Sequence, residues 1–281
     1  MSRTVMERLT EEKHTFRQSE EKVADYVLAH AQEVMKLPIT ELAEQIGVSE
    51  ATIVRMCKKI GYHGFQELKI NLALEMVKPI QTVHEGISES DDMDEVIKKV
   101  IAANINALNS TLDVLSSPEL TRAAEHLLMA RSIQFYGVGG SGPVAQDAAH
   151  KFMKTGKPVI AYTDTHMQSM AAALVQPEDV VVAISHSGSS RDIIDALAIA
   201  KRRGATTIGI THYARSPIDK VLEIKLGTQS YETLYRMEST SSRIAQLAIV
   251  DALFIGVCLR DPEQAVQNIR LTREVIAPKR F

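Results

Sequence analysis

The sequence predicts an all-α N-terminal domain followed by an α/β C-terminal domain, in which helices flank a five-stranded parallel sheet. Two observations carry this prediction. Up to about residue 78, apolar residues recur at spacings of three and four, the period of an amphipathic helix. From residue 132, short β-rich runs alternate with helical stretches, which is typical of a parallel sheet covered by helices on both faces. A chain of 281 residues also fits two domains of ordinary size.

The N-terminal part contains several short helices separated by glycine and proline. The last of them runs to Val77 and ends before Pro79, because proline does not continue a helix easily. A polar, acidic stretch then links the two parts. The predicted domains are residues 1–78, a linker at 79–92, and residues 93–281, whose α/β core spans about 122–262.

Five runs rich in β-branched residues are the predicted strands of the second domain. They lie at 133–136, 159–162, 180–184, 206–210 and 221–226. Helical patterns occupy the stretches between them, and two further helices lead into the first strand. A long apolar helix at 240–259 closes the domain, and Pro262 opens a final helix.

The composition is that of an ordinary globular protein, with 45% hydrophobic and 24% charged residues. Cys57 and Cys258 form no CxxC pair, so we expect no metal site built on cysteine. We also expect no cofactor. The N-terminus lacks the apolar stretch of a signal peptide, and no apolar run approaches the ~20 residues of a membrane span. We therefore expect a cytoplasmic protein. The net charge of −3 gives no support for nucleic-acid binding, which must rest on a local basic face.

The segment 39–61, ITELAEQIGVSEATIVRMCKKIG, has the pattern of two short helices joined by a tight turn. Thr40 is placed to cap the first helix, Gly47 can adopt the left-handed conformation of the turn, and Ser49 can cap the second helix. The second helix carries four apolar residues on one face: Ile53, Met56, Cys57 and Ile60. This pattern predicts a helix-turn-helix.

The outer face of the second helix is small and polar at its start and basic further along. With the capping serine, this face supplies the predicted DNA-contacting residues: Ser49, Ala51, Thr52, Arg55, Lys58 and Lys59. Small residues approach base edges, whereas Lys and Arg reach bases or phosphates. One such helix makes few contacts, so we expect a homodimer or homotetramer on a two-fold, double-stranded operator. The alternative is a helix pair in a bundle, whose basic face is only solvated.

The loop 137–142, GVGGSG, follows a predicted strand and precedes a helix. Glycines let backbone N–H groups approach a ligand, and a helix N-terminus favours an anion. The same glycines match the dinucleotide pattern G-x-G-x-x-G, and Asp164 lies where such a fold places its ribose carboxylate. This loop alone does not separate a phosphate ester from NAD.

The loop 185–190, SHSGSS, follows a buried strand and favours the phosphate ester. Its four serine hydroxyls and its backbone amides can donate several hydrogen bonds to one compact phosphate. A dinucleotide site does not need this second anion-binding loop. The alternative is a serine- and glycine-rich turn that only caps a helix.

The whole chain resembles the RpiR family of bacterial transcriptional regulators, which join an N-terminal helix-turn-helix to a C-terminal sugar isomerase (SIS) domain. Three runs carry the resemblance: ITELAEQIGVSEATIVRMCKKIGYHGFQELK, ISHSGSSRDI and SSRIAQLAIVDALF. It implies DNA binding controlled by a phosphosugar effector. It also implies that Ser141 is the serine of the family's first loop, and that Ser185, Ser187 and Ser190 carry the phosphate-contacting hydroxyls. The chain departs from many relatives in carrying Ser rather than Glu at position 189, and position 186 is His.

Taken together, the loops and the resemblance predict a phosphosugar site formed by Gly139, Gly140, Ser141, Ser185, His186, Ser187, Ser190 and Glu238. SIS domains also occur in aldose–ketose isomerases, and such an enzyme is the alternative function. Its chemistry needs a general base, for which the candidates are Glu232, Glu238, His166, His186 and His212. Their spacing forms no convincing acid–base pair, so we assign no catalytic residue. A third hypothesis is a regulator that senses NAD(H).

Overall fold

The computed structural model describes residues 4–76, 87–88, 90–230 and 241–279. The chain divides into two compact units, and the division falls within one helix, between residues 103 and 104. The described part of the first unit is helical, and the second unit combines helices with one sheet. The predicted fold class is therefore confirmed.

Six helices form most of the first unit. In chain order they are α1 (Val5–Glu11), α2 (Gln18–Ala29), α3 (Ala31–Val34), α4 (Ile39–Ile46), α5 (Glu50–Lys59) and α6 (Phe65–Met76). Their apolar faces pack into one core, whose largest fully buried side chains are Leu9, Met35, Leu42, Ile53, Met56, Leu68 and Leu72. A longer helix, α7 (Met93–Val114), contains the division between the units.

Helices α4 and α5 form the predicted helix-turn-helix. Gly47 ends α4 in the left-handed conformation, with φ of +72°. Ser49 caps α5, because its hydroxyl oxygen accepts a hydrogen bond of 3.3 Å from the backbone N–H of Thr52. The apolar face of α5 is buried as its spacing predicts.

The predicted cap at Thr40 is wrong, because α4 begins at Ile39 and Thr40 already lies within its first turn. Pro38 occupies the cap position with the extended conformation that a cap residue needs (φ −63°, ψ 155°). Its carbonyl oxygen accepts from the N–H of Leu42 at 3.0 Å. Proline suits this position, because its missing N–H leaves no donor unsatisfied at the start of the helix.

The second unit alternates helices and strands after the end of α7. Its elements are α8 (Ser117–Met129), β1 (Ile133–Tyr136), α9 (Gly142–Phe152), β2 (Val159–Tyr162), α10 (Thr165–Leu174), β3 (Val180–Ser185), α11 (Arg191–Arg202), β4 (Thr206–His212), β5 (Ile224–Thr228), α12 (Ser241–Arg260) and α13 (Pro262–Ile276). The strands form one parallel sheet in the order β2-β1-β3-β4-β5.

Strand β3 lies at the centre of this sheet and is buried along its whole length. Successive side chains of a strand point to opposite faces. Val180, Val182 and Ile184 accordingly belong to the core that α8, α9 and α12 cover. Val181 and Ala183 belong to a second core, which α10 and α11 cover. A fully apolar strand is thus what a sheet covered on both faces requires.

Strand β5 begins later than predicted, at Ile224 rather than Val221. Residues 217–220 form a 3-10 turn, and Val221 ends that turn with a backbone that is not extended (φ −112°, ψ −6°). Val221 and Leu222 pack against the core from outside the sheet. Their apolar character reflects burial rather than strand conformation, which composition alone does not separate.

Among the described residues, α12 is the one helix long and apolar enough to cross a membrane by length and composition. A core helix passes the same test. Ile249, Val250, Leu253 and Val257 on α12 are buried in the core that α8, α9 and the sheet share. The apolar character of this helix is accounted for by that packing.

We predict that Phe152→Ala lowers the free energy of unfolding by ~3–5 kcal/mol, the usual effect of emptying a buried aromatic site. The Phe152 ring is fully buried and lies 5.4 Å from the ring of Phe135 and 5.7 Å from that of Phe254, measured between centroids. Its neighbour Met153 is 59% exposed, so Met153→Ala should change stability by less than ~1 kcal/mol. Urea unfolding followed by circular dichroism measures both, and equal midpoints for the two variants would contradict this packing.

Candidate effector site and DNA-contacting helix

The two predicted anion-binding loops lie side by side at one edge of the sheet. Strands β1 and β3 are neighbours, and Tyr136 at the end of β1 pairs with Ala183 in β3. From β1 the chain continues to β2 on one side, whereas β3 leads to β4 on the other. Ligands of open α/β sheets bind in the crevice that such a reversal of strand order creates.

The first loop is held in a tight conformation by its glycines. A Cβ atom on Gly137 would lie 2.5 Å from the carbonyl oxygen of Ser141, so no larger residue fits there. Gly139 has a φ of +53°, which glycine adopts without strain. Ser141 precedes α9 as its N-cap residue, yet its hydroxyl makes no capping hydrogen bond. That hydroxyl, with the exposed backbone of Gly139 and Gly140, is placed to meet a ligand.

The second loop presents serines of different exposure to the same crevice. Ser185 is buried at the end of β3, Ser187 is exposed, and Ser190 is half-buried. Ser190 is the N-cap residue of α11, and its hydroxyl makes no capping hydrogen bond either. Two helix starts, each with an unused serine hydroxyl, therefore flank one crevice, and helix starts favour anions.

Strand β4 and the turn after it hold the serine loop in place. The carbonyl oxygen of His186 accepts from the backbone N–H of His212 at 3.0 Å, and that of Gly188 accepts from Ile218 at 2.9 Å. Gly188 has a φ of +59°, and a Cβ atom there would lie 2.2 Å from Ser216 Oγ. The loop is thus fixed by backbone contacts to its neighbours. Within it, the Ser189 hydroxyl donates to the carbonyl of Ser187 at 3.1 Å, and Ser187 Oγ accepts from the N–H of Ser189 at 3.3 Å.

An ion pair supports the turn that holds the loop. Lys225 Nζ lies 2.9 Å from a carboxylate oxygen of Asp219 and donates to the carbonyl of Ala214 at 2.7 Å. Asp219 also accepts from the backbone N–H of Ser216 at 3.1 Å. These contacts were not expected from the sequence, because they depend on how the turn folds back on β5.

Two of the candidate acid–base histidines lie together beside the loop. The rings of His186 and His212 have centroids 5.9 Å apart and are nearly perpendicular. Burial, with smaller contributions from His186 and Lys225, lowers the pKa of His212 to about 4. Its ring is therefore neutral at neutral pH. Nδ1 accepts from the N–H of Ala214 at 3.3 Å, which places the ring proton on Nε2.

The remaining candidates do not complete an acid–base pair in the described structure. His166 is an exposed residue near the start of α10. Glu232 and Glu238 lie outside the described residues. Asp164, the carboxylate of the dinucleotide alternative, caps α10 by accepting from the N–H of Met167 at 2.9 Å.

Helix α5 exposes part of the predicted DNA-contacting face but not all of it. Ala51, Arg55, Lys58 and Lys59 are exposed, as expected. The expectation that Thr52 lies on the outer face is wrong, because Thr52 is only 4% exposed. Its hydroxyl lies 2.9 Å from Ser49 Oγ and accepts from Arg55 Nη2 at 3.0 Å. The polar groups of these two small residues are thus used within α5.

A buried carboxylate that sequence analysis missed lies behind the same helix. Glu20 of α2 is 2% exposed and lies 2.6 Å from Lys59 Nζ and 3.7 Å from Arg55 Nε. Hydrogen bonds from the N–H of Arg17 and from Lys59 lower the pKa of this carboxyl. One signal was available: Glu20 precedes Val23, Ala24 and Val27 at the spacing of the buried face of α2.

Lys59 is also bound by a backbone group. Its ammonium donates to the carbonyl oxygen of Thr15 at 2.9 Å, in addition to its contact with Glu20. Among the described residues, Lys58 makes no ion pair. The two adjacent lysines thus differ: Lys59 joins α5 to the chain preceding α2, whereas Lys58 extends into solvent.

We predict that Gly188→Ala destabilises the protein by ~1–3 kcal/mol, because alanine must adopt a strained backbone and displace Ser216. The control is Gly140→Ala in the other loop, where a Cβ atom meets nothing within 4 Å. That variant should unfold within ~0.5 kcal/mol of the unsubstituted protein. Thermal unfolding of both variants measures the difference, and an unchanged Gly188→Ala protein would show that the loop conformation is wrong.

Comparison with known proteins identifies a domain in each half of the chain. Residues 3–79 match the helix-turn-helix domain of the rpiR family, and residues 126–256 match the SIS domain. The chain is 42% identical over 267 residues to an HTH-type transcriptional regulator of Caldanaerobacter subterraneus, a match that covers 95% of each protein.

The fold is also similar to that of solved structures. The Vibrio vulnificus NanR protein complexed with ManNAc-6P has a TM-score of 0.83 and 27% identity over 99% of both chains. The phosphoheptose isomerase GmhA of Neisseria gonorrhoeae shares the fold, with a TM-score of 0.52 and 23% identity over 59% of this chain and 99% of that one. The matched domains, and the relative that is similar over its whole length, place this chain in the RpiR family of transcriptional regulators, with an N-terminal helix-turn-helix domain and a C-terminal SIS domain.

Proposed function

We propose that this regulator controls genes of sugar or amino-sugar metabolism in the cytoplasm, and that a phosphosugar bound between its two loops is the effector. The observation that carries the proposal is the pair of adjacent loops at the reversal of strand order, each with a serine hydroxyl that its own helix does not use. The similar NanR structure holds ManNAc-6P, an amino-sugar phosphate, which agrees with this class of ligand.

The proposed contacts divide between the phosphate and the sugar. The phosphate would be bound by the hydroxyls of Ser141, Ser185, Ser187 and Ser190 and by the backbone of Gly139 and Gly140. His186 would lie near the sugar, as would Glu238, which lies outside the described residues. Hydroxyl and backbone donors suit a phosphate, because hydrogen bonds to a charged acceptor are stronger than those between neutral groups.

We further propose that the SIS domain binds its ligand without converting it. Aldose–ketose isomerisation needs a base near the sugar carbons. His212 has its Nδ1 occupied by a backbone N–H and carries its proton on Nε2, so it offers a donor rather than a base. Isomerase activity remains the alternative, and Glu238 is the carboxylate that would carry it. A turnover assay on sugar phosphates separates the two: an activity that Glu238→Gln abolishes would establish the enzyme.

DNA binding would occur through α5 in a homodimer or homotetramer, with the domains at residues 1–78 and 93–281 joined by the segment 79–92. Two copies of α5 then contact the two halves of a symmetric operator. A phosphosugar can change the affinity for DNA only if it binds one arrangement of the two α5 helices more tightly than another arrangement. Titration of an operator, selected from random duplexes, with sugar phosphates tests this coupling directly.

We predict that Ser187→Ala lowers the affinity for the active sugar phosphate by about 10- to 100-fold, because a hydrogen bond to a charged group contributes ~1.5–3 kcal/mol. The matched comparison is Ser189→Ala, whose hydroxyl donates to the carbonyl of Ser187 and is not assigned to the phosphate, so its loss of affinity should be smaller. Isothermal calorimetry measures both variants. If the unsubstituted protein binds NAD instead, and Ser187→Ala binds it equally well, the phosphosugar site is wrong.

A further inference from the structure

We propose that Arg55 recognises a guanine in the operator, and that Glu20 of α2 is the positioning residue that sets the Arg55 guanidinium for this contact. The inference rests on the proposed DNA binding by α5 and specifies which base it reads and how. It also assigns different roles to the cationic side chains of α5, which are Arg55, Lys58 and Lys59.

The carboxylate of Glu20 is held in a fixed position, where it contacts two cationic side chains of α5. It is almost completely buried and accepts the backbone N–H of Arg17 at 2.9 Å. The ammonium of Lys59 lies 2.6 Å from the same group. A carboxylate bound by a backbone donor and a cation has little freedom to move. Its second oxygen lies 3.7 Å from Arg55 Nε, so it attracts the guanidinium from the side facing the protein.

A chain of hydroxyl groups holds the other side of the guanidinium. Arg55 Nη2 donates to Thr52 Oγ1 at 3.0 Å, and Thr52 Oγ1 lies 2.9 Å from Ser49 Oγ. Because the Thr52 hydroxyl accepts from Arg55, it can donate its own hydrogen to Ser49. Ser49 is itself fixed as the cap of α5. Arg55 is therefore held at Nη2 by a hydrogen bond, and its Nε is attracted by the charge of Glu20 at 3.7 Å, a distance longer than a hydrogen bond.

The donors that remain on Arg55 fit one base edge. A guanidinium has five N–H groups, and Thr52 accepts one of them, from Nη2. With Nε beside Glu20, both hydrogens of Nη1 and the second hydrogen of Nη2 are the donors left for a base. The Arg55 side chain is 57% exposed, which leaves this end open to solvent. Guanine offers two acceptors, O6 and N7, in the major groove and is the usual partner of a bidentate arginine. Because the Arg55 guanidinium is already oriented before binding, less conformational entropy is lost when DNA binds.

The neighbouring side chains are unsuited to this role. Thr52 is buried, and Lys59 is held by Glu20 and by the carbonyl of Thr15. Lys58 is exposed and makes no ion pair among the residues that the structure describes. A lysine on a flexible stem acts as a point charge, so Lys58 suits a phosphate, which carries no sequence information.

The test is selection of bound duplexes from a random DNA library by the full-length protein and by single variants, followed by affinity measurements. We expect the unsubstituted protein to select sites with a guanine in each half. Arg55→Ala should lose the preference at that position alone, with discrimination against other bases reduced about 10- to 100-fold. Lys58→Ala should weaken all sites alike, reduce the salt dependence by about one phosphate contact, and keep the selected sequence.

Glu20→Gln gives the readout that a purely structural role would not produce. The substitution keeps the side-chain shape and removes one negative charge beside the DNA-contacting face. Affinity for an unrelated duplex should stay equal or rise, because repulsion of the phosphates decreases. The preference for guanine over the other bases should fall about 10-fold, since the carboxylate no longer orients the Arg55 guanidinium. Thr52→Val removes the second restraint and should produce the same loss if Glu20→Gln fails to fold.

The outcomes separate this inference from the proposed function. If the unsubstituted protein selects no sequence, DNA binding by α5 and the guanine contact are both wrong. If it selects a sequence whose preferences Arg55→Ala lowers uniformly, Arg55 contacts phosphate and only the inference fails. If Arg55→Ala affects one guanine but Glu20→Gln and Thr52→Val leave that preference unchanged, the positioning role of Glu20 is wrong.

Discussion

The burial of β3 on both faces is the constraint on which the second unit depends. A strand in that position is apolar where it faces the two cores, from Val180 to Ile184, and its alternate side chains supply both of them. The same strand ends at Ser185, where the chain must emerge from the sheet beside β1. Rigid packing of the strand therefore fixes the location of the serine loop, while the loop itself contributes little to the core.

In the helical unit, a buried polar group positions side chains on the surface. The core of this unit fixes α5 through the apolar face formed around Ile53 and Met56, but an apolar face does not fix long cationic side chains. Glu20 supplies that control from α2, and burial makes its carboxylate an effective anchor, since the desolvated charge must be satisfied by hydrogen bonds and cations. One buried charge thereby links the packing of two helices to the arrangement of the outer face.

Sequence periodicity predicted the features that depend on burial within one helix or strand. It did not predict the features that depend on contacts between segments distant in the chain. The five strands, the turn at Gly47 and the cap at Ser49 follow from local patterns. Strand order and register do not, because they arise from packing between segments. Thr52 is polar, yet it is buried and its hydroxyl contacts Ser49 and Arg55. The start of β5 was misjudged because Val221 is apolar for packing outside the sheet.

The close contact between Gly188 and Ser216 has a consequence for how such a regulator could change its ligand over evolution. A side chain at position 188 has no room, and the backbone on either side is held by β4 and the turn that follows it. Substitution within the loop is thereby restricted to positions such as 186 and 189, which alter the rim of the crevice. With the proposed phosphate contacts, related proteins that differ at these two positions would bind different sugars and keep the same contacts to the phosphate.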